Sequence, residues 1–199
     1  MKESIDFLST DRILKAVIDT YGIPSIPKRE QGFAALCHII LEQQVSIASA
    51  KATYKKLENE LGQLTPKVVL ETPDEVFRAC GVSRQKTTYI KDLAQRVTSG
   101  SLDFESFKTK SPEEITTELL AVKGVGNWSV EVYLMFCMQH EDVLPIGDIA
   151  IRSAIKELYD IHDPEEMRIL GENWKPYRSM ASFILWYHYL SKRKRKDHL

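Results

Sequence analysis

Apolar side chains recur along this chain at intervals of three and four residues, the spacing that gathers them on one face of an α-helix. The clearest run consists of Phe33, Leu36, Cys37, Ile40 and Leu41. No stretch sustains the one-by-one alternation of apolar and polar residues that marks a half-buried strand. The pattern therefore predicts an all-α fold.

Capping residues mark the helix boundaries. Three segments combine an N-cap side chain, a proline at the first helical position and a glutamate three residues after the cap: Thr72-Pro-Asp-Glu75, Ser111-Pro-Glu-Glu114 and Asp163-Pro-Glu-Glu166. Glycines just past the apolar runs predict helix ends at Gly22, Gly62, Gly81 and Gly100. Residues 23–27, after a first helix of about residues 11–21, and residues 139–147 are predicted to be irregular connections.

The composition limits the class of protein. The chain has 199 residues, of which 43% are hydrophobic, and a mean hydropathy of −0.26, values typical of a globular protein that buries a core. No apolar run approaches the ~18 to 20 residues of a membrane span, and acidic residues interrupt the N-terminus where a signal peptide would be apolar. We therefore expect no membrane partner.

Cysteine content and charge add two further limits. Cys37, Cys80 and Cys137 lie within apolar patterns, which predicts buried thiols in a reducing compartment. Three cysteines are too few for an all-cysteine iron–sulfur cluster, which needs four thiolates. The net charge of −1 lacks the basic footprint usual in nucleic-acid-binding proteins, although a local patch or backbone amides can replace it.

A Gly124-Val-Gly126 turn lies between two helical patterns, the first capped by Ser111 and the second starting at Asn127 and continuing to Met138. Glycines permit positive φ and let another molecule approach the backbone closely. The free amides and positive dipole at the start of the second helix favour an anion such as phosphate. An ordinary turn between two helices is the alternative that the glycines alone leave open.

Two segments, Leu120-Ala-Val-Lys-Gly-Val-Gly-Asn-Trp-Ser129 and Leu144-Pro-Ile-Gly-Asp148, together resemble the hairpin and catalytic loop of the helix-hairpin-helix (HhH-GPD) DNA glycosylase superfamily. The resemblance is to its 3-methyladenine DNA glycosylase II, or alkylbase DNA glycosylase, group. Three more segments match in the same order: Ile40-Leu-Glu-Gln-Gln-Val-Ser46, Gly81-Val-Ser-Arg-Gln-Lys-Thr-Thr-Tyr-Ile90 and Trp174-Lys-Pro-Tyr-Arg-Ser179.

The resemblance implies two helical lobes with an active-site cleft between them. Residues 31–135 would form the lobe with the hairpin, and residues 1–30 with 136–199 would form the lobe with the catalytic aspartate. The backbone amides of Gly124, Val125 and Gly126 would bind a DNA phosphate in the minor groove. The carbonyls of Leu120, Val122 and Val125 would hold a monovalent sodium or potassium ion; no cofactor is expected to be required.

Asp148 is the catalytic residue that the resemblance implies. Its position before Ile149-Ala-Ile also suits an ordinary N-cap, and one residue can serve both purposes. Cleavage of an N-glycosidic bond builds positive charge on the sugar, as in glycoside hydrolysis. A fixed carboxylate stabilises that charge and orients or deprotonates the attacking water.

Two tryptophans match the base pocket of the family, Trp128 in the hairpin and Trp186 near the C-terminus. Because alkylated purines such as 3-methyladenine are cationic, an indole face attracts them; ordinary core packing is the alternative. Trp128 also occupies the position of the lysine nucleophile in relatives that cut the backbone, and an indole cannot form a Schiff base. The chain departs from the family pocket at Val132 and Ile149, which leaves the substrate range open.

Gln44 matches the residue that the family inserts into the base stack when the target nucleotide is flipped out. Polar residues at a helix end are the alternative, and Gln43 and Ser46 are candidate helpers. Four basic residues could face phosphates or simply solvent: Arg84, Lys86, Lys91 and Arg96. The basic run 192–196 could add electrostatic affinity, serve as an import-like signal, or be a solvated tail.

The sequence therefore predicts a monomeric, intracellular DNA glycosylase that removes 3-methyladenine-type bases from duplex DNA without lyase activity. We expect it in the cytoplasm or nucleoid of a prokaryote, or in the nucleus of a eukaryote. The alternatives are a non-catalytic helix-hairpin-helix binding module, a glycosylase/lyase, and a glycosylase for deaminated or mismatched bases.

Overall fold

The computed structural model describes residues 1–193, which form twelve α-helices and one 3-10 helix with no strand among them. This confirms the all-α prediction. The helices are, in chain order, α1 Lys2–Leu8, α2 Arg12–Tyr21, α3 Phe33–Glu42, α4 Ile47–Leu61, α5 Pro66–Glu71, α6 Asp74–Ala79, α7 Arg84–Thr98, α8 Pro112–Leu120, α9 Asn127–Phe136, α10 Ile149–Tyr159, α11 Pro164–Glu172 and α12 Arg178–Lys192, with the 3-10 helix at Phe104–Thr109. None of these helices is long and apolar enough to cross a membrane. Residues 194–196 of the basic run lie outside the described residues.

The predicted helix starts are right at two of three places. Ser111 and Glu114 form a reciprocal capping box at α8, and Asp163 accepts hydrogen bonds from the first amides of α11. The prediction at Thr72 is wrong. Its hydroxyl donates to the Val68 carbonyl at 2.6 Å and ends α5, so α6 begins one residue later than expected, without a side-chain cap.

One further helix and one helix end differ from the sequence prediction. Helix α1 was not predicted, and it has no side-chain N-cap that could have signalled it; it buries only Ser4 and Leu8. Helix α9 ends at Phe136, two residues before Met138. Gln139 adopts a left-handed backbone, and its side-chain amide donates to the Met135 and Phe136 carbonyls at the end of α9.

Backbone contacts divide the chain into two units. The hairpin unit comprises Arg29–Tyr133, and the aspartate unit comprises Met1–Lys28 together with the described residues from Leu134 onward. In the hairpin unit, α7 packs against α3, α5 and α6. Helix α3 contributes six buried residues, Cys37 among them, so most of its surface faces the core.

In the aspartate unit, α12 packs against α1, α2 and α10.

All three cysteines of the chain are buried thiols, as predicted. Burial raises the pKa of the Cys37 thiol well above its usual value, so this thiol stays protonated and inert.

Asp11 joins three elements of the aspartate unit. One of its oxygens caps α2 by accepting from the amides of Ile13 and Leu14. The other accepts from the Tyr159 hydroxyl at 2.8 Å and from the buried Trp174 indole at 3.1 Å. Burial and the Asp11 carboxylate raise the pKa of Tyr159, so this phenol remains a donor.

Replacement of Asp11 by alanine should destabilise the protein by about 2 to 4 kcal/mol, because it removes a cap and leaves two donors without an acceptor. Asp163→Ala removes only the exposed cap of α11 and should cost about 1 kcal/mol. Urea denaturation of the two variants and the wild type measures both losses. Equal losses would contradict the structural role assigned to Asp11.

Candidate active site

The hairpin is formed by α8, a turn and α9, as the sequence predicted. Gly124 adopts a φ of +78°, which a side chain rarely tolerates, and a Cβ atom placed on it would overlap the ring of Tyr89. Gly126 does not have a positive φ, so of the two turn glycines Gly124 is the one that uses this conformational freedom. No atom lies within 4 Å of a Cβ built on Gly126, so its backbone is open to another molecule.

Helix α7 packs against this turn and hydrogen-bonds to it. Tyr89 packs against Gly124, and one oxygen of Asp92 accepts from the Lys123 backbone amide at 2.9 Å. The same oxygen accepts from the Arg96 side chain. Burial works against the charged form of Asp92, but these hydrogen bonds and the positive charges nearby lower its pKa overall. The carboxylate is therefore ionised at neutral pH and fixes the start of the turn.

The predicted intercalating residue lies in a loop between α3 and α4. Gln44 is exposed and has a φ of +56°, a left-handed conformation that is uncommon for a residue with a side chain. The neighbouring Gln43 donates from its side-chain amide to the Gly124 carbonyl and to the Ser129 hydroxyl, both at 2.9 Å. The loop with Gln44 is thus attached directly to the hairpin, while Ser46 caps α4.

Three of the four basic residues considered as phosphate contacts have protein partners. Lys86 donates to the Leu41 and Gln43 carbonyls at 2.7 and 2.8 Å, Lys91 pairs with Asp74, and Arg96 pairs with Asp92. Arg84 is exposed at the start of α7. The sequence reasoning missed the role of Lys86, although the Gly81–Ile90 match had singled out its segment.

The carbonyls predicted to hold a monovalent cation lie at the end of α8 and in the turn. The Val122 carbonyl accepts from the Val125 amide at 3.1 Å, which leaves it a second lone pair. The arrangement is compatible in donor type with sodium or potassium, which bind carbonyl oxygens. The ion itself stays a prediction.

Asp148 caps α10, so the N-cap role is confirmed. Its Oδ1 atom accepts from the amides of Ala150 at 2.7 Å and Ile151 at 3.2 Å. The same atom accepts from the indole nitrogen of Trp186 at 3.1 Å. Three N–H groups thus fix the orientation of this carboxylate.

Trp186 combines this hydrogen bond with core packing. The residue is 7% exposed, and its ring packs against Phe136 and Phe183 within the aspartate unit. Trp128 is half-buried in the first turn of α9. Among the positions that depart from the family pocket, Val132 is buried, whereas Ile149 is 69% exposed directly after Asp148.

The loop that carries Asp148 is held by the matched Trp174–Ser179 segment. Arg178 forms a two-pronged ion pair with Asp142, with distances of 2.7 and 3.0 Å. The Ser179 hydroxyl accepts from the Val143 amide and donates to the His140 carbonyl. This segment, which had suggested no chemistry in the sequence, therefore orders the approach to Asp148.

Known proteins resemble this chain in sequence and in fold. Residues 37–179 match the family described as HhH-GPD superfamily base excision DNA repair protein. The chain is 30% identical to DNA-3-methyladenine glycosylase 1 of Schizosaccharomyces pombe over 182 residues, which cover 88% of this chain and 79% of the relative.

Two solved structures share the fold. A DNA-3-methyladenine glycosidase from Bacillus halodurans superposes with a TM-score of 0.80 and 30% identity, covering 94% of this chain and 89% of that one. The Schizosaccharomyces pombe 3-methyladenine DNA glycosylase in complex with abasic DNA gives a TM-score of 0.85, with 97% of each chain covered; at 24% identity this likeness shows the fold alone.

The two hairpin glycines should respond differently to substitution. Gly124→Ala should lower the free energy of unfolding by at least about 1 to 2 kcal/mol, because the left-handed backbone is strained with a side chain and the new methyl group meets Tyr89. Gly126→Ala should stay within about 0.5 kcal/mol of the wild type. Thermal or urea unfolding of both variants tests this, and an equal effect would contradict it.

Proposed function

Because the chain belongs to the HhH-GPD superfamily of base excision DNA repair proteins, we propose that it is a DNA glycosylase that removes alkylated bases of the 3-methyladenine type from duplex DNA. The observation that carries the proposal is the Asp148 carboxylate, held by three N–H donors at the start of α10 within the matched region. The names of the similar proteins support the same substrate class. Action on DNA in base excision repair would require the protein to be inside the cell.

The chemistry requires a carboxylate that stays charged and fixed. As the bond between the sugar C1′ atom and the base nitrogen breaks, its electrons leave with the base and positive charge develops on the sugar. Asp148 stabilises that charge, orients the water that attacks C1′ and accepts the proton that this water loses. An alkylated purine leaves as a neutral base because it starts as a cation, so a strong general acid is unnecessary.

Trp128 and Trp186 serve the base in this proposal. An aromatic face attracts a cationic base by about 0.5 to 2 kcal/mol. Trp186 has a second role, since its indole N–H orients Asp148. Packing with Phe136 and Phe183 keeps that indole from turning away.

DNA is held in the proposal mainly by backbone groups. Of the three amides named from the sequence, that of Val125 donates to the Val122 carbonyl, so the amides of Gly124 and Gly126 bind the phosphate at the start of α9. Gln44 enters the base stack. A monovalent cation on the carbonyls of Leu120, Val122 and Val125 would supply positive charge beside that phosphate. These contacts suit a chain whose net charge is −1.

Replacement of Asp148 by asparagine should slow base release by at least about 100-fold, because the amide lacks the charge that stabilises the transition state. The side-chain oxygen of asparagine still caps α10, so folding and binding to abasic DNA should persist. Single-turnover release of 3-methyladenine from alkylated duplex DNA measures the effect. Asp163→Asn is the matched control, since Asp163 caps α11 in the same manner.

Release by neither the wild type nor the variant, with DNA binding intact, would favour the binding-module alternative or another lesion. Release at equal rates by both would remove Asp148 from the mechanism.

Sodium borohydride should trap no covalent adduct between the wild-type protein and its DNA substrate. A Schiff base needs an amine, and the hairpin position that would supply one carries Trp128. Denaturing electrophoresis after borohydride treatment detects such an adduct. A trapped band would establish the glycosylase/lyase alternative.

A further inference from the structure

Lys86 neutralises a helix end rather than a phosphate. Helix α3 terminates at Glu42 with carbonyls that lack partners inside the helix, and the Lys86 ammonium donates to those of Leu41 and Gln43. A cation at this end also interacts favourably with the negative pole of the helix dipole. Burial lowers the pKa of Lys86, and the two carbonyls offset part of that cost.

Gln43 is held at both its main chain and its side chain. Its carbonyl accepts from Lys86 on α7, while its side-chain nitrogen donates to Gly124 in the turn and to Ser129 in α9. Ser129 is 2% exposed, so this contact is shielded from competing water. Gln43 therefore connects the loop, the hairpin and α7 through directed hydrogen bonds.

Gln44 follows directly, in a left-handed conformation with its side chain exposed. A residue with a side chain keeps this conformation only where its surroundings impose it. The neighbouring peptide is fixed by Lys86 and by the hairpin contacts of Gln43. These contacts explain how the loop presents Gln44 to solvent.

We propose that Gln43 and Lys86, which we name the brace, are positioning residues that couple insertion of Gln44 into the DNA base stack to the phosphate grip of the hairpin. The proposal rests on the proposed function, in which Gln44 fills the gap left by the flipped nucleotide. Opening a base pair costs free energy, so the inserted side chain must keep its position against re-closure of the pair. The brace holds the loop with Gln44 in place by attaching it to the hairpin turn and to α7.

The test compares two brace variants with a control on the same helix. Lys86→Met removes the ammonium donor and keeps about the length of the side chain. Gln43→Leu removes the side-chain amide donor and leaves the hydrogen bonds from Lys86 to the main-chain carbonyls of residues 41 and 43 in place. Lys91→Met is the control, because Lys91 pairs with Asp74 at another part of α7. Urea denaturation identifies variants that fail to fold, and Gln43→Leu keeps the test available if Lys86→Met is one of them.

Two readouts separate insertion from chemistry. The first is the fluorescence of 2-aminopurine beside a tetrahydrofuran abasic site in duplex DNA, which reports disturbance of the stack by Gln44. The second is single-turnover release of 3-methyladenine, either paired with thymine or placed opposite an abasic site where little base pairing resists flipping. The brace variants should weaken the fluorescence change and slow release from the paired substrate about tenfold, the factor expected for a lost hydrogen bond. Release from the unpaired substrate should slow less than about threefold.

A double-mutant cycle with Gln44→Ala excludes a merely structural effect. If the brace acts through Gln44, Lys86→Met adds little to Gln44→Ala; if it acts on folding or on the pocket, the two factors multiply. Multiplying factors, equal slowing on both substrates, or brace variants that match Lys91→Met would each overturn the brace.

The outcomes also separate the brace from the proposed function. Absence of base release by the wild type, together with a fluorescence change that the brace variants weaken, would reject the proposed substrate and retain the brace. Absence of any fluorescence change in the wild type would reject the assignment of Gln44 and the brace with it.

Discussion

One face of α7 determines the shape of the hairpin unit. Lys86, Tyr89 and Asp92 recur every three residues along it, and each fixes a different backbone segment. Lys86 holds the end of α3, Tyr89 fills the space beside Gly124, and Asp92 holds the Lys123 amide. Because these contacts all come from α7, one helix positions both of the loops proposed to touch DNA.

In the aspartate unit, one carboxylate both caps a helix and accepts a hydrogen bond from a tryptophan. The amides at the start of a helix need acceptors, and a charged acceptor there is stabilised by the helix dipole. Asp148 meets that need through Oδ1, which also receives the Trp186 indole. The structural and catalytic interpretations of Asp148 are therefore compatible, since the cap fixes the orientation of the proposed catalytic group.

Local signals predicted most of the fold, and a competing hydrogen bond or burial explains the exceptions. Ser111 and Asp163 cap helices as expected because each side chain accepts from backbone amides two or three residues later. Thr72 carries the same signal, yet its hydroxyl is taken by the preceding helix at Val68. Helix α1 is stabilised by burial of Leu8, and no capping motif in the sequence marks the start of this helix.

The residues of the candidate site could be named from the sequence, but their hydrogen-bond partners could not. Asp148, Trp128 and Gln44 were found by resemblance, whereas the acceptors of Lys86 lie about 45 residues earlier and no periodicity relates them. Gly126 shows the limit of residue type as a signal. Glycine permits a positive φ, but the backbone of Gly126 does not adopt one.

The internal pairing of basic residues has a consequence for how the protein would find damage. Lys91, Arg96 and Arg178 are each paired with a carboxylate of their own unit, so these three cations would displace fewer counterions from DNA than unpaired side chains would. The pairing lowers their contribution to the affinity for undamaged duplex and to its dependence on ionic strength. A larger share of the affinity then falls to the contacts made where a nucleotide is turned out of the helix.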